Sequence, residues 1–422
     1  MMKKKILFVG FRGKKEHLSE GHEVYLLTGK EDYRPEYETL FSQITIVNDI
    51  FNWNEVRAAL SESYFDAVLT RFEDFIVPAA AIAEEKKLPG TIFENSVTFR
   101  NKFLMKEVFA EHNVPAADFT LISSMDAAEE FLSRNEFPLI LKQLSGVHSR
   151  FVAKVKSREH LAETLSRFQT EIVNESATLH NQLYNHNRIL TGPDPQKYFL
   201  LEELLIGDEL SIDAITVNGQ HSFTPVCRYL TSEEVGIEDH HLPIRILPAD
   251  YPPEQEEIIL NTARQALDAL GADFCGSHTE VFFNRQTNDC RVVEVAARSG
   301  GFRGEMFDVA TEGKFNLHEI CIQVALGQEV LLPEIYPVFS AVVEVFAGEA
   351  GVLSDIDISC LNNRKDVRFV SINCRVGDQV GPASRGGKYV IKFLIYGNFF
   401  SSALSDATRL LHEIRNSIKI QK

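Results

Sequence analysis

Long apolar runs are missing from this sequence of 422 residues, and none approaches the ~18 that a membrane-spanning helix requires. Positive charge is scarce. Lys and Arg number 43 against 60 Asp and Glu, a formal net charge of −17. A phosphate-backbone binder needs a basic face, so nucleic acid is excluded as a partner, and any anionic substrate must be gathered by local cations. Cysteine is sparse too: Cys227, Cys275, Cys290, Cys321, Cys360 and Cys374 include no CxxC pair and form no dense framework. That leaves free thiols in a reducing compartment. Internal repeats and low-complexity tracts are absent, and "GFRGKK" after the first apolar run lacks GxGxxG spacing, so no dinucleotide fingerprint is read there. The opening "MMKKKILFVGFRGKK" mimics a secretion signal, but "ILFVGF" falls short of the roughly 7–15 apolar residues such a segment needs. It reads as a buried strand, and the chain as cytoplasmic.

What is present is ordinary globular material, 44% hydrophobic and 24% charged, with length for two or three domains. Residues 1–95 alternate strand patterns ("KILFVG", "HEVYLLTG", "QITIVND", "FDAVLTRF") with helical ones, "NWNEVRAALSES" and "FIVPAAAIAEEKKL". That alternation predicts a parallel sheet with helices on its faces, although the first crossover, "FRGKKEHLSEG", is short for a helix. Beyond residue 96 the character changes. "NKFLMKEVFAEHNVP" and "AAEEFLSRN" predict helices, "FPLILKQLSG" a strand with "RFVAKV" as hairpin partner, and 157–176 a helix. Residues 177–196 read as a polar excursion. "YFLLEELLIGDELSIDAITVNGQ" predicts two strands around Gly207, then a turn at Asn218-Gly219. A helix at 253–270, another in "NLHEICIQVALG", and a tail of strands closing on the helix "FSSALSDATRLLHEIRNSI" complete the pattern.

Chemistry concentrates in "HTEVFFNRQTNDCRVVEVAARSGG". Two strands flank a polar "QTND" turn, and a loop centred on Thr287 sets Glu280 opposite Glu294. The two-residue period then places Phe282 and Val292 on the glutamate face, with Val281 and Val293 on the other. Facing carboxylates repel, so the fold needs a reason to keep them. Mg²⁺ supplies one, since it takes one or two carboxylates plus substrate phosphates. Two solvated surface glutamates are the plainer alternative, but apolar neighbours on both sides argue against it. Arg298, at the strand end, offers a planar fork of donors to a phosphate or oxyanion, and Gly300 and Gly301 permit close backbone approach. A surface salt bridge and a turn would equally explain these three. Lys142 precedes the small-residue loop "QLSGVHSR", where lysine and loop amides could hold a phosphate; a snorkelling lysine is the competing reading. In "LEELLIGDELSID", Glu202, Glu203 and Glu209 follow an apolar strand, a pattern suited to an adenine edge and ribose hydroxyls. His240-His241 has no third metal ligand at a supporting spacing and reads as solvated loop.

In order along the chain, Lys102 heading a helix, "PLILKQLSG", "LEELLIGDELSID", "HTEVFF…VVEVAARSGG" and "NLHEICIQVALG" resemble the ATP-grasp superfamily over residues 96–330. Nearest in flavour are the carboxylate–amine ligases that join amino acids, of the bacilysin synthetase type. The resemblance implies an α/β N-terminal domain (1–95), an α+β ATP-grasp domain with a small lobe (96–205) and a large lobe (206–330), and a strand-rich C-terminal subdomain (331–422) packed on the large lobe. It implies an ADP-forming ligase that activates a carboxylate as an acyl phosphate, with ATP and Mg²⁺ (two ions, or Mn²⁺ in their place), small amino-acid substrates and a homodimeric state. For ATP it implies Lys102, Lys142, Ser145, Gly146, Ser149, Glu202, Glu203, Leu205 and Glu209, with Glu202 and the backbone of Glu203 and Leu205 at adenine and Glu209 at ribose. It gives the metal to Glu280 and Glu294, and the transferring phosphoryl group and tetrahedral intermediate to Arg298. His278, Gly300, Gly301, Phe302 and Arg303 become substrate-pocket candidates, Phe302 limiting side-chain size and Arg303 holding a carboxylate. Two departures stand out: Ala296 where relatives often carry Asn, and a glycine-poor phosphate loop. Alternatives within the superfamily act on bicarbonate, formate or phosphoribosylamine; a non-catalytic ATP-binding regulator is the alternative outside enzymes.

Overall fold

A computed structural model describes residues 3–13, 18, 21–146, 151–172, 192–239 and 241–421. Residues 147–150, the second half of the phosphate loop with Ser149, residues 177–191 of the polar excursion and His240 lie outside the described residues.

Strands Lys5–Val9, Glu23–Gly29, Gln43–Val47 and Ala67–Leu69 form the expected parallel sheet, in the spatial order third, second, first, fourth. Its central strand is covered on both faces, as parallel sheets require. Leu7 and Val9 pack into one core and Ile6 and Phe8 into another. The second core explains how the short first crossover is tolerated: Ile322 and Ala325, from the distant helix Leu317–Ala325, pack on that face.

Two further sheets follow. Phe119–Ile122, Phe199–Glu203, Leu139–Gln143 and Val152–Val155 make a four-stranded antiparallel sheet in that spatial order. Helices Met125–Leu132 and Arg158–Ile172 supply its core through Ala128, Phe131, Leu161, Leu165 and Phe168. The nine-stranded sheet begins with the Asp289–Ala296 and Cys275–Asn284 hairpin, continues through Asp208–Val217, Cys227–Leu230 and Ile244–Leu247, and ends with the C-terminal strands Phe339–Val345, Ile391–Gly397 and Val367–Ile372. Gln220–Phe223 pairs at its side, across the Asn218-Gly219 turn, where both residues take positive φ. The last helix, Phe400–Ser417, packs on the C-terminal strands.

Strands Phe119–Ile122, Cys227–Leu230 and Ile244–Leu247 were not read from the sequence, and three further features depart from it. The strands around Gly207 belong to different sheets, so residues 204–207 carry the chain from one lobe to the other. Gly207 has φ 147°, and a Cβ there would stand 2.4 Å from the Phe283 carbonyl oxygen, so only glycine fits. Helices Phe93–Arg100 and Arg303–Ala310 were not anticipated, both short and without a clear apolar stripe. The hairpin pairs Glu280 with Glu294 as expected but carries a bulge beside that pair, so Val281 faces Val292. Val281 and Val292 are both fully buried on the core side, whereas Val293 joins Glu294 and Phe282 on the opposite face. A bulge inserts one residue and breaks strict alternation; that is why Val292 and Val293 exchange their expected sides. Among the described residues no helix is long and apolar enough to cross a membrane.

Candidate active site

Between the four-stranded and nine-stranded sheets lies a cavity of ≈ 1150 Å³. Lys142, Gly146, Glu202, Glu203 and Leu205 line it from the smaller sheet and the crossing segment, and Glu209, Glu280 and Glu294 from the larger. Lys102 enters from the first turn of helix Lys102–Glu111. Asn101 caps that helix by accepting from the Phe103 and Leu104 amides, and the Lys102 amide donates to the Leu144 carbonyl at 2.8 Å. The helix start is thereby fixed to the end of the Lys142 strand.

Charge in the cavity is paired. Lys102 Nζ lies 2.8 Å from Glu294 Oε2. Glu202 receives Lys142 at 2.7 Å on one oxygen and Lys106 at 3.3 Å on the other. Burial pushes Glu202 upward, but Lys106 and Lys142 outweigh it and hold the carboxyl below its usual range. For Lys106 the balance is reversed: burial dominates over Glu202 and brings the ammonium down to about 8. Glu294 is raised by burial yet brought to about 2 by Lys102, Lys142 and Arg298. Glu209 has no comparable cation, so burial, then Glu280, drives it up to about 8.

The metal question turns on Glu280 and Glu294. They face each other in register, and an ammonium already sits on Glu294, so the pair is built to hold positive charge. Among the described residues no group of three or more His, Cys, Asp or Glu side chains could hold an ion alone. Two carboxylates suit Mg²⁺, which completes its shell with water and phosphate oxygens. Ala296 pairs with His278, so no side-chain amide is supplied there.

A second cluster lies behind Glu280. His278 Nε2 is 3.3 Å from Glu280 Oε1, and Nδ1 is 2.6 Å from Asp213 Oδ1. Burial lowers the imidazole, but Asp213 and then Glu280 raise it above its ordinary value. Asp213 also accepts the Gly300 amide at 2.9 Å. A Cβ on Gly300 would stand 2.5 Å from His278 Nδ1, so the first glycine is required for packing, while Gly301 faces open space. Arg303, expected to hold a substrate carboxylate, is engaged within the protein through Nε and Nη2, while its buried Nη1 has no hydrogen-bond partner among the described residues. It is 2% exposed, its Nε lies 3.4 Å from Asp213, and Nη2 donates to Ser211 Oγ. Phe302 takes φ 62° at the start of helix Arg303–Ala310, with Lys392 Nζ 3.4 Å from its ring centroid. His278, Gly300, Gly301, Phe302 and Arg303 therefore gather beside the main cavity rather than in its lining.

Arg298 stands between the two clusters. Its Nε meets Glu73 Oε2 at 2.8 Å, and Glu73 Oε1 also holds Arg100 at 3.0 Å. Arg100 Nη2 donates to Ser145 Oγ at 3.5 Å, which ties the phosphate-loop base to the same network. Sequence reading missed Lys106, Asp213 and Glu73. Lys106 lies four residues after Lys102, on the same helix face, and Asp213 interrupts the apolar run "SIDAITV" as Glu294 interrupts "RVVEVAA". Nothing local marks Glu73.

Residues 135–305 match the ATP-grasp domain family. Alanine–anticapsin ligase of Bacillus subtilis (strain 168) is 25% identical over 287 residues, 64% of this chain and 54% of that protein. The Bacillus amyloliquefaciens ligase of the same name is 24% identical over 284 residues, 64% of this chain and 54% of its own. The match thus spans about half the length of these curated relatives. In three dimensions the chain resembles an L-amino acid ligase from Bacillus licheniformis, with TM-score 0.81 and 20% identity over 100% of both chains. A phosphoribosylglycinamide synthetase from Anaerococcus prevotii aligns with TM-score 0.69 and 17% identity over 99% of this chain and 100% of that one.

Proposed function

Residues 135–305 of this chain are an ATP-grasp domain, and from that premise we propose that the protein is an ADP-forming ligase joining two amino acids. The observation that carries this reading is the facing pair Glu280–Glu294 in a cavity whose other walls present Lys102 and Lys142. Acidic floor and basic walls together suit a nucleoside triphosphate with its divalent cation. The alanine–anticapsin ligases and the L-amino acid ligase supply the substrate class.

Lys142 and Lys102 bind the ATP phosphates, with Lys142 aligned by Glu202. Ser145 and Gly146, at the start of the loop, cover the phosphates; Ser149 is assigned to the same role but lies outside the described residues. The Glu203 side chain is committed to Arg291 at 2.6 Å, so its main chain, with that of Leu205, is what remains to read adenine. Glu202 closes the adenine side and Glu209 reaches the ribose. Glu280 and Glu294 would hold Mg²⁺, two ions with Mn²⁺ as a substitute, which when bound would offset negative charge on the phosphate oxygens.

A substrate carboxylate oxygen attacks the γ-phosphorus and ADP leaves, giving an acyl phosphate. The neutral amine of the second substrate then attacks the acyl carbon, its proton passes to a base, and phosphate departs with the electrons of the C–O bond. Arg298 donates to the oxygen that gains charge in that step; Glu73 fixes its guanidinium beforehand, so little reorganisation is needed.

Replacing Glu294 or Glu280 with Gln removes one metal carboxylate without changing shape. We expect ADP formation in the presence of amino acids and Mg²⁺ to fall on the order of 100-fold or more. Full activity in both variants contradicts the assignment.

A further inference from the structure

Arg71 follows the end of strand Ala67–Leu69, at the carboxyl edge of the parallel sheet, where ligands of such sheets collect. The Phe72 amide donates to Thr70 Oγ1 at 3.2 Å, a local turn that fixes the segment. Two residues on, Glu73 grips Arg298. The neighbouring arginines are all matched to acids: Arg100 and Arg298 to Glu73, Arg303 to Asp213. Arg71 is different. Its one hydrogen-bond contact among the described residues is Nη2 to His318 Nε2, at 3.0 Å, and no Asp or Glu there lies within ion-pair distance. Burial holds its guanidinium below the ordinary arginine value, with the Cys321 thiol and Glu305 acting only from a distance.

The surroundings are built rather than accidental. The His318 ring packs so tightly on Gly304 that a Cβ there would stand 2.5 Å from it. Ser299 Oγ lies 3.5 Å from Cys321 Sγ, and Gly301, two residues later, faces open space. Arg71 and Ser299 thus share Cys321 as a neighbour, beside the turn that Arg298 precedes.

Ligation chemistry says which anion is left for it. The first substrate loses its carboxylate charge when it becomes an acyl phosphate. The second keeps its carboxylate through the whole reaction and carries it into the product, so it needs a permanent cation apart from the metal site. We propose that Arg71, oriented by His318, binds the α-carboxylate of the amine-donating amino acid. This assignment rests on the ligase reading above.

The test compares acceptor amino acids with their α-amides in phosphate-release and product assays, using the full chain and its Arg71→Met and Arg71→Lys variants. In the unmodified protein the free acid is preferred. Arg71→Met raises KM for the free acid about 100-fold while KM for the amide and for ATP stays unchanged, and Arg71→Lys restores part of the preference. Equal losses on acid and amide, or an intact acid preference in Arg71→Met, overturn the assignment while leaving the ligase reading in place. No phosphate release from the unmodified protein with any amino-acid pair overturns the ligase reading, and the Arg71 assignment with it.

Discussion

Glu202 sits between two ammonium groups with almost no access to water. Breaking a buried pair on one side leaves uncompensated charge. Glu202→Gln strands both Lys106 and Lys142, and we expect it to cost on the order of 3 kcal/mol at neutral pH. Because the native carboxyl is held below its usual range, its contribution is complete above the unfolded value of about 4.3 and is lost as pH falls through the lower native value. Thermal unfolding followed from pH 7 down to pH 3 should therefore show a shallower acid loss in Glu202→Gln than in the unmodified protein. Equal slopes below pH ~4.3 contradict this. Glu280 and Glu294 were legible because a carboxylate inside an apolar strand demands a partner. The same logic applies to Asp213, which was passed over because its partners, His278, Gly300 and Arg303, come from a strand, a turn and a helix far along the chain.

At the scale of elements, the turn after Ala296 joins the metal hairpin to helix Arg303–Ala310. Its two glycines look alike in sequence and differ in space. At Gly300 an added methyl meets the His278 ring, which cannot yield because Asp213 holds it at 2.6 Å. Urea unfolding should show Gly300→Ala destabilised by about 1–3 kcal/mol and Gly301→Ala unchanged within about 0.5 kcal/mol. Equal effects would contradict the packing described. The hairpin and its facing glutamates could be read from the two-residue period and the "QTND" turn. The bulge could not, because alternation marks faces and says nothing of one inserted residue. Likewise, both strands flanking Gly207 were visible, but their separation into different sheets depends on partners remote in sequence.

Across the whole molecule, the four-stranded and nine-stranded sheets enclose the cavity between them, and two long-range contacts fix the parallel sheet to the large lobe. Helix Leu317–Ala325 completes the core of the first sheet, and Glu73 on the loop after the Ala67–Leu69 strand anchors Arg298 of the large lobe. In a chain of net charge −17, Lys102 and Lys142 are the two cations that line this cavity among the described residues. The strands and helices with a clear periodicity were legible in order, whereas short ones such as Phe119–Ile122, Cys227–Leu230 and Arg303–Ala310 were not; nor was the Glu73–Arg298 contact, since no local pattern records it. The most direct measurement incubates the protein with ATP, Mg²⁺ and amino acids in pairs, and reads ADP, phosphate and product mass together. The account predicts, for at least one pair, equal amounts of ADP, phosphate and a product whose mass is the sum of the two amino acids less one water. Phosphate release that responds to bicarbonate and to no amino-acid pair would contradict it.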